Sequence, residues 1–274
     1  MHAPRRAGTR SAPLLAVVAA LALAACNATP APSLLSDPKA ILAAAVTSAA
    51  EAGTVHVDVA ASGNLPIDLT GTGGAGPGLD LTGTTAAIDA DLPSGAVRAT
   101  FVAPGLLGVR GELIAVDGSG YIKSTLTGPL YRRQSVAVPP VPAASADPAT
   151  ILQGLQDLLD QPGIDPVKGD DVPCGSGTCY TVAIELTPAE LAGMGADVGS
   201  LPIPADLPIP IPNLDDATVG LTFRVDQATT DLSGLTAVVD LGADAPVTLD
   251  LTFSKWGEPV TVTAPPADQI APEG

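Results

Sequence analysis

An alternation of apolar and polar residues, repeated along much of the chain, is the feature that most constrains the fold. In the first such segment Val55, Val57 and Val59 alternate with His56 and Asp58. The same period of two recurs at residues 67–70, 79–82, 97–101, 219–226, 235–241 and 247–254, and a further strand is predicted at 180–186. Successive side chains of a strand point to opposite faces, so each segment predicts a strand with one apolar and one polar face. The pattern is typical of an antiparallel sheet that is buried on one side.

Helical patterns are predicted at three places: residues 37–52, residues 147–159, and a short segment that begins at 187. Ser36 or Asp37 can cap the first helix, and Gly53 suits the position just beyond its end. Thr187 and Glu190 have the spacing of a capping box at the start of the third. Strands combined with a few separate helices predict an α+β fold.

The predicted helices are too few to cover the apolar side of the sheet. Roughly ten strands have two or three short, alanine-rich helices to pack against. Aromatic residues are 3% of the chain, so few large side chains are present to fill the space. A void lined by Val, Leu and Ile either collapses or holds something apolar. A bound sixteen-carbon chain would gain on the order of 12 kcal/mol gross at about 0.8 kcal/mol per methylene.

The N-terminus resembles an export signal. Arginines precede an apolar run at residues 13–25, which is too short to span a bilayer. The run ends in Leu23-Ala24-Ala25-Cys26, which resembles the lipobox of bacterial lipoproteins; an ordinary signal peptide that happens to precede a cysteine is the alternative. Residues 1–25 are therefore predicted to be cleaved, Cys26 to carry the lipid anchor, and residues 26–36 to form a flexible tether.

Charge and residue counts exclude several functions. Acidic residues outnumber basic ones by 29 to 12, which disfavours nucleic acid as a partner. Removal of residues 1–25 takes away three arginines and His2, leaving 29 acids against 9 bases, or −20, and His56 as the remaining histidine. No two-histidine metal site can form, no cofactor is expected, and a hydrolase would have to place His56 beside a serine and a carboxylate.

Two further features of the mature chain lie outside the alternating strands. Cys174 and Cys179 are an even pair in an exported protein, which favours a disulfide over a metal site. Residues 201–212 contain proline too densely for a helix or a ladder strand and predict an extended, polyproline-like segment. This segment is interpreted either as a lid over a cavity or as a stiff loop packed on the domain.

The order of elements resembles a known lipoprotein family. The most specific pieces are the strand start Thr54-Val55-His56, the lipobox, and the run Ser254-Lys255-Trp256-Gly257-Glu258 followed by a Val-Thr-Val strand at 260–262 and Pro265-Pro266. These residues resemble the LppX/LprA/LprF/LprG lipoproteins of mycobacterial envelopes, a LolA-like family. The resemblance covers residues 37–266, predicted to be a single lipid-binding domain, with residues 267–274 as a C-terminal tail.

The resemblance implies a strongly curved antiparallel half-barrel with two to three helices on its concave side, enclosing a hydrophobic cavity. His56 would point outward, and the inward residues of the strands would line the cavity: Val57, Val59, Leu69, Leu81, Val97, Phe101, Leu221, Phe223, Val239, Leu249 and Leu251. The cysteine loop and the Pro-Ile repeat depart from the family pattern, which leaves the identity of the ligand open.

The function predicted on this basis is a non-catalytic, monomeric lipoprotein anchored in the outer leaflet of the cell membrane, facing the periplasm or cell wall. It would bind acylated lipids or glycolipids, with two or three chains, and carry them across the envelope, with a lipid exporter as a candidate partner. The alternative is a structural or interaction lipoprotein of the envelope whose cavity is collapsed.

Overall fold

The alternating segments form a large antiparallel sheet. The structure is a computed structural model, and it describes residues 34–65, 78–134, 163–193, 217–242 and 246–272. The strands are β1 (Thr54–Ser62), β2 (Asn64–Leu65), β3 (Leu79–Asp80), β4 (Thr84–Asp91), β5 (Ala96–Ala103), β6 (Val109–Val116), β7 (Ser119–Ser124), β8 (Gly128–Gln134), β9 (Val167–Lys168), β10 (Val172–Cys174), β11 (Gly177–Leu186), β12 (Thr218–Asp226), β13 (Leu232–Asp240) and β14 (Val247–Ser254). The helices are α1 (Pro38–Ala52), α2 (Pro188–Gly193) and a 3₁₀ turn (Ala267–Gln269).

Twelve of these strands belong to one sheet. Its order is β10-β11-β12-β13-β14-β1-β4-β5-β6-β7-β8, with β9 paired to β11 and all pairs antiparallel. Strands β2 and β3 form a separate two-residue pair. β1 lies between β14 and β4, so the first strand joins the two halves of the chain. The sheet is open and curved, and its two edges do not pair with each other within the described residues.

Helix α1 begins and ends where the sequence predicts. The Asp37 carboxylate accepts a hydrogen bond of 3.1 Å from the backbone N–H of Lys39, and Pro38 occupies the first turn. Gly53 follows the helix in the left-handed region, with φ of 71°, and its N–H donates to the Ala49 carbonyl. The first helix is confirmed, with Asp37 as its cap.

The short helix α2 opens with the predicted capping box. The backbone N–H and the hydroxyl of Thr187 donate to Glu190 Oε2 at 2.6 and 2.8 Å. In return the Glu190 N–H lies 3.4 Å from the Thr187 hydroxyl. These hydrogen bonds hold the pKa of Glu190 below its usual range.

Helix α1 packs on the β11–β12 end of the sheet. Its buried residues Ile41, Leu42 and Ala45 join a core cluster with side chains from β11 and β12 and the preceding loop: Ile164, Tyr180, Val182, Ile184, Leu186 and Val225. The backbone N–H of Leu35 donates to the Tyr180 hydroxyl at 2.8 Å, which fixes the chain just before the helix. Most of the fully buried side chains of the described residues lie in this cluster.

The C-terminal segment folds back onto the other end of the sheet. Val262 and Ile270 pack against a buried cluster of Ile114, Tyr121 and Tyr131. Ile270 forms a bridge to Tyr131, and the N–H of Ala271 donates to the Tyr131 carbonyl at 2.8 Å. The sequence predicted a strand at 260–262, but these residues join no ladder, and Val262 instead packs its side chain against the buried cluster.

Several strands were absent from the sequence prediction. The large sheet contains four strands that the sequence pattern did not predict, namely β4, β6, β7 and β8. The strand predicted at 79–82 is shorter than expected and consists of the two residues of β3. The strand predicted at 67–70, the helix predicted at 147–159 and the segment 201–212 lie outside the described residues, as do residues 1–33.

Candidate functional site

The register of the sheet brings the predicted cavity residues onto one face. Val57 pairs with Phe253, Val59 pairs with Leu251, and the same side continues to Phe223 through Leu235. Nine of the predicted residues lie on this side, which we call the apolar face: Val57, Val59, Val97, Phe101, Leu221, Phe223, Val239, Leu249 and Leu251. The shared orientation follows from the period of two and from antiparallel pairing without register shifts in β1, β4, β5 and β14.

Two predicted residues are not part of this arrangement. Leu81 lies in the turn between β3 and β4, where its N–H donates to the Gly63 carbonyl at 2.9 Å. It is half-buried but belongs to no strand of the large sheet. Leu69 lies outside the described residues.

Burial differs between the two parts of the apolar face. Under helix α1, Val182 and Val225 are fully buried. Beyond the helix, on β14, β1, β4 and β5, most of the large side chains are half-buried: Val59, Ile88, Phe101, Leu251 and Phe253. Among the described residues, the main contacts of α1 with the sheet are with β11, β12 and β13, and the 3₁₀ turn contacts β8. The β14–β5 part of the face is therefore apolar surface that the described elements leave partly uncovered.

Small residues alternate with large ones on that uncovered part. Ala86 lies between Val59 and Phe101 in the same row, and the Phe101 ring lies directly over Gly111. A Cβ at Gly111 would collide with that ring. The small side chain of Ala86 leaves space above the sheet that a larger residue would fill, whereas the position over Gly111 is taken by the Phe101 ring.

The opposite, polar face holds His56, as predicted. Its Nδ1 lies 2.6 Å from Asp89 Oδ1, and its Nε2 lies 3.5 Å from Asp58 Oδ1. Among the described residues the ring hydrogen-bonds to no serine hydroxyl, so the relay that a hydrolase needs is not assembled there. A depression of about 360 Å³ opens beside it, lined on the polar face by side chains that include Asp58, Thr100 and Thr252.

A charged network crosses the polar face further along. Arg98 contacts Glu112 Oε1 at 2.7 and 2.8 Å, and the Tyr131 hydroxyl donates to Glu112 Oε2 at 2.7 Å. Lys123 lies 3.4 Å from the same oxygen and 4.2 Å from the centre of the Tyr131 ring. Burial acts to raise the pKa of Glu112, but the hydrogen bonds from Tyr131 and Arg98 and the Arg98 charge outweigh it and lower that pKa. The hydrogen bond to Tyr131 raises the pKa of Lys123.

The cysteine pair is a disulfide. Cys174 and Cys179 are bonded across the turn between β10 and β11, with their Cα atoms 5.7 Å apart. Asp226 lies close enough to make this the one cluster of Cys and acidic groups with metal-ligand proximity in the described residues. Because both sulfurs are used in the disulfide, neither is available as a thiolate ligand.

No helix in the described part of the chain is long and apolar enough to cross a membrane.

An open, curved antiparallel sheet with a helix on one apolar face is the LppX-like class of fold. No family model matches the chain, and a search of curated proteins finds no match. Among solved structures it is similar to the lipoprotein LppX of Mycobacterium tuberculosis, with a TM-score of 0.50 and 16% identity over 82% of this chain and 98% of that one. It is also similar to LprF of Mycobacterium bovis, with a TM-score of 0.49 and 18% identity over 83% of this chain and 96% of that one. The resemblance inferred from the sequence is confirmed as a similarity of fold.

Proposed function

We propose that this protein is a non-catalytic lipoprotein that binds acylated lipids or glycolipids and carries them across the cell envelope. The observation that carries the proposal is the apolar face, which is continuous from β11 to β5 while α1 packs only on its β11–β13 end within the described residues. Half-buried Phe, Leu and Val side chains beside Ala86 and Gly111 offer a surface that acyl chains can cover. The similarity to LppX, itself named a lipoprotein, supports this assignment.

Burial of methylene groups would supply the binding energy. Each buried methylene contributes about 0.8 kcal/mol, so two or three chains would bind tightly even after the cost of ordering them. The strands of the uncovered part present no charged side chain on the apolar face. Selection among lipids would therefore follow chain length and shape, with the headgroup left outside. The nine predicted cavity residues on the apolar face, with the helices predicted to cover them, are the proposed binding site.

Anchoring is the second part of the proposal. Cys26 would carry the acyl groups after removal of residues 1–25, holding the domain at the outer leaflet of the membrane, facing the periplasm or cell wall. The protein would act as a monomer and receive its lipid from an exporter. Cys26→Ser should abolish incorporation of labelled palmitate and release the protein from the membrane fraction, with Cys174→Ser as the control that leaves the label in place.

Lipid binding is tested with a substitution that fills the space above the apolar face. Wild-type protein, expressed with its lipidation signal in a related host, should carry acyl lipid that native mass spectrometry detects. Ala86→Trp places a large ring between Val59 and Phe101 and should reduce the bound fraction at least about tenfold, given the burial of several methylenes that it prevents. Ala183→Trp, on the exposed polar face of β11, is the matched control and should bind normally.

The competing function is a structural or interaction lipoprotein with a collapsed interior. It predicts protein without lipid in both the wild type and the Ala183→Trp variant, and no uptake from lipid vesicles. That result, obtained with folded protein, would contradict the carrier proposal.

A further inference from the structure

Two neighbouring turns at one end of the sheet present leucines to water. The turn at 104–108 joins β5 to β6, the turn at 125–127 joins β7 to β8, and the Thr125 N–H donates to the Arg110 carbonyl at 2.9 Å between them. The exposed leucines are Leu107 at 95%, Leu126 at 72% and Leu106 at 40%. Single exposed leucines are ordinary, but several on adjoining turns mark an interaction surface. We call Leu106, Leu107, Leu126 and Arg110 the leucine tip.

The backbone conformation that exposes Leu107 in the first turn is energetically unfavourable for a leucine. Leu107 has φ of 57° and Gly108 has φ of 69°, and the Gly108 N–H donates to the Pro104 carbonyl at 3.0 Å. The left-handed region suits glycine or asparagine, whereas a leucine there costs about 1–2 kcal/mol. The turn thus displays a large apolar side chain where a small residue would be more stable. This arrangement favours a role for the side chain outside the fold itself.

Charge around the leucine tip is opposite in sign to that of the whole chain. On the polar face of β5–β7 beside these turns, three basic residues, Arg98, Arg110 and Lys123, lie with one acid, Glu112. Arg110 is exposed, and its guanidinium has no hydrogen-bond or ion-pair partner among the described residues. The adjoining Glu112 is already paired with Arg98. The Asp80 backbone passes Gly105 of the first turn, and the Asp80 carboxylate accepts a hydrogen bond from the Thr82 N–H.

A depression of about 540 Å³ opens at the base of the leucine tip. Its lining includes Arg110, Lys123 and the hydroxyl-bearing residues Thr100, Ser124 and Thr125, together with Glu112, whose carboxylate is paired with Arg98 and Lys123. Cations and hydroxyls are the groups that bind phosphate oxygens in proteins. The depression is large enough for a phosphate headgroup placed beside the exposed leucines.

We propose that the leucine tip docks on a membrane surface that contains anionic phospholipids. Leu107 and Leu126 enter the boundary between headgroups and acyl chains, and Arg110 contacts headgroup phosphates. Apolar groups flanked by cations bind at this depth, because burial and attraction to the anionic surface add together. The rest of the chain is acidic and is repelled by such a surface, which turns this end of the sheet toward it. Docking of the tip is independent of the lipid-carrier proposal.

The test measures the depth of one side chain in the bilayer, with the full lipidated protein. Leu107→Trp adds a fluorophore at the tip, and the wild type, which contains one tryptophan, gives the background signal. Vesicles of phosphatidylcholine alone, or of equal parts phosphatidylcholine and phosphatidylglycerol, carry bromine on their acyl chains to quench nearby tryptophan. Val167→Trp, at a 62%-exposed site on β9, is the control away from the tip.

We expect quenching of the Leu107→Trp variant by brominated vesicles that contain phosphatidylglycerol, and little quenching of the wild type or of Val167→Trp. Adding Arg110→Glu to the Leu107→Trp variant should weaken the interaction at least about tenfold, since the substitution changes the local charge by two units and each unit near an anionic surface is worth about fivefold in affinity. Lys255→Glu, distant from the tip, is the charge-matched control and should leave the quenching unchanged.

Equal quenching at Val167→Trp, or none at Leu107→Trp with anionic vesicles, would overturn the proposal. A concentration-dependent blue shift of Leu107→Trp without vesicles would instead identify a second copy of the chain as the occupant and would also overturn it. Combining Leu107→Trp with Ala86→Phe, which fills the space above the sheet without adding a second fluorophore, separates the two proposals, because it should reduce bound lipid while leaving tip quenching intact.

Discussion

The hydroxyl of Tyr131 donates a hydrogen bond of 2.7 Å to Glu112 Oε2, joining edge strand β8 to β6 across the intervening strand β7. Glu112 is a carboxylate whose side chain is only 13% exposed, and Arg98 binds its other oxygen. The pair lies next to the cluster on which the C-terminal segment packs. It therefore couples the ionisation of one acid to the attachment of the edge strand.

This coupling predicts the direction of a pH effect. The pKa of Glu112 is lowered from its ordinary value of 4.5 in the folded protein. The ionised Glu112 carboxylate therefore makes its full contribution to the free energy of unfolding above the pKa that Glu112 has in the unfolded chain. That contribution is lost as the pH falls through the lower pKa of Glu112 in the folded protein. Tyr131→Phe removes one donor, so it should raise the pKa of Glu112 and reduce the free energy of unfolding by about 1–2 kcal/mol at neutral pH.

Urea denaturation across a series of pH values checks this expectation, and the gap between Tyr131→Phe and the wild type should narrow as Glu112 becomes protonated. Tyr121→Phe is the matched control, because Tyr121 is in the same cluster and its hydroxyl makes no hydrogen bond within the described residues. A constant gap at every pH would show that the hydrogen bond to the carboxylate is not the cause.

Truncation should distinguish the part of the apolar face under α1 from the uncovered part. Ile41 is completely buried, so Ile41→Ala should lower the free energy of unfolding by about 2–5 kcal/mol. Phe101 is half-buried, and Phe101→Ala should cost only about 1–2 kcal/mol of stability in lipid-free protein. Denaturation of delipidated protein measures both. Similar large losses at the two sites would mean that the uncovered part is packed as tightly as the core.

The cap of α1 offers a smaller and more local test. Asp37→Ala removes the acceptor for the Lys39 N–H and should destabilise the domain by about 1 kcal/mol. Ser36→Ala, one residue earlier, should have little effect, because Asp37 occupies the cap position. Thermal unfolding followed by circular dichroism compares the two variants, and the reverse order of effects would reassign the cap to Ser36.

The disulfide should contribute to stability at one edge of the sheet. The loop closed by Cys174 and Cys179 is short, so the double replacement by serine should cost about 2 kcal/mol, chiefly through the unfolded state. Peptide mapping without reductant should find the two cysteines linked, and thermal unfolding should give a lower Tm after reduction. Unchanged stability with confirmed reduction would contradict this expectation.

The sequence pattern predicted the strands whose two faces differ strongly and missed those whose faces do not. β1, β12 and β14 alternate large apolar residues with polar ones, and all three are confirmed. β4 reads Thr-Thr-Ala-Ala-Ile-Asp-Ala-Asp, where Ile88 is its one large apolar residue, so its alternation is weak. It is ordered because β1 and β5 pair with it on either side.

β6 was missed for a different reason. Leu113 and Ile114 are adjacent and point to opposite faces, yet both are apolar, because the C-terminal segment covers the second face at Ile114. Cover from a distant segment removes the period of two, and no local pattern reveals it. Nine of the predicted cavity residues share one face of the sheet, because the period of two and the antiparallel register place them there. The leucine tip has no alternation of apolar and polar residues in its sequence. It is recognisable only in the folded protein, where the turns at 104–108 and 125–127 lie side by side.

The C-terminal residues that pair with β8 protect the edge of the sheet. An outermost strand exposes free backbone donors and acceptors, and identical strands from other molecules can add to it without limit. On β8, part of this edge is occupied by the hydrogen bond from the Ala271 N–H to the Tyr131 carbonyl and by the β-bridge between Ile270 and Tyr131. Chains shortened before Ile270 would lose this obstruction, and at high concentration they would be the first to polymerise into fibres.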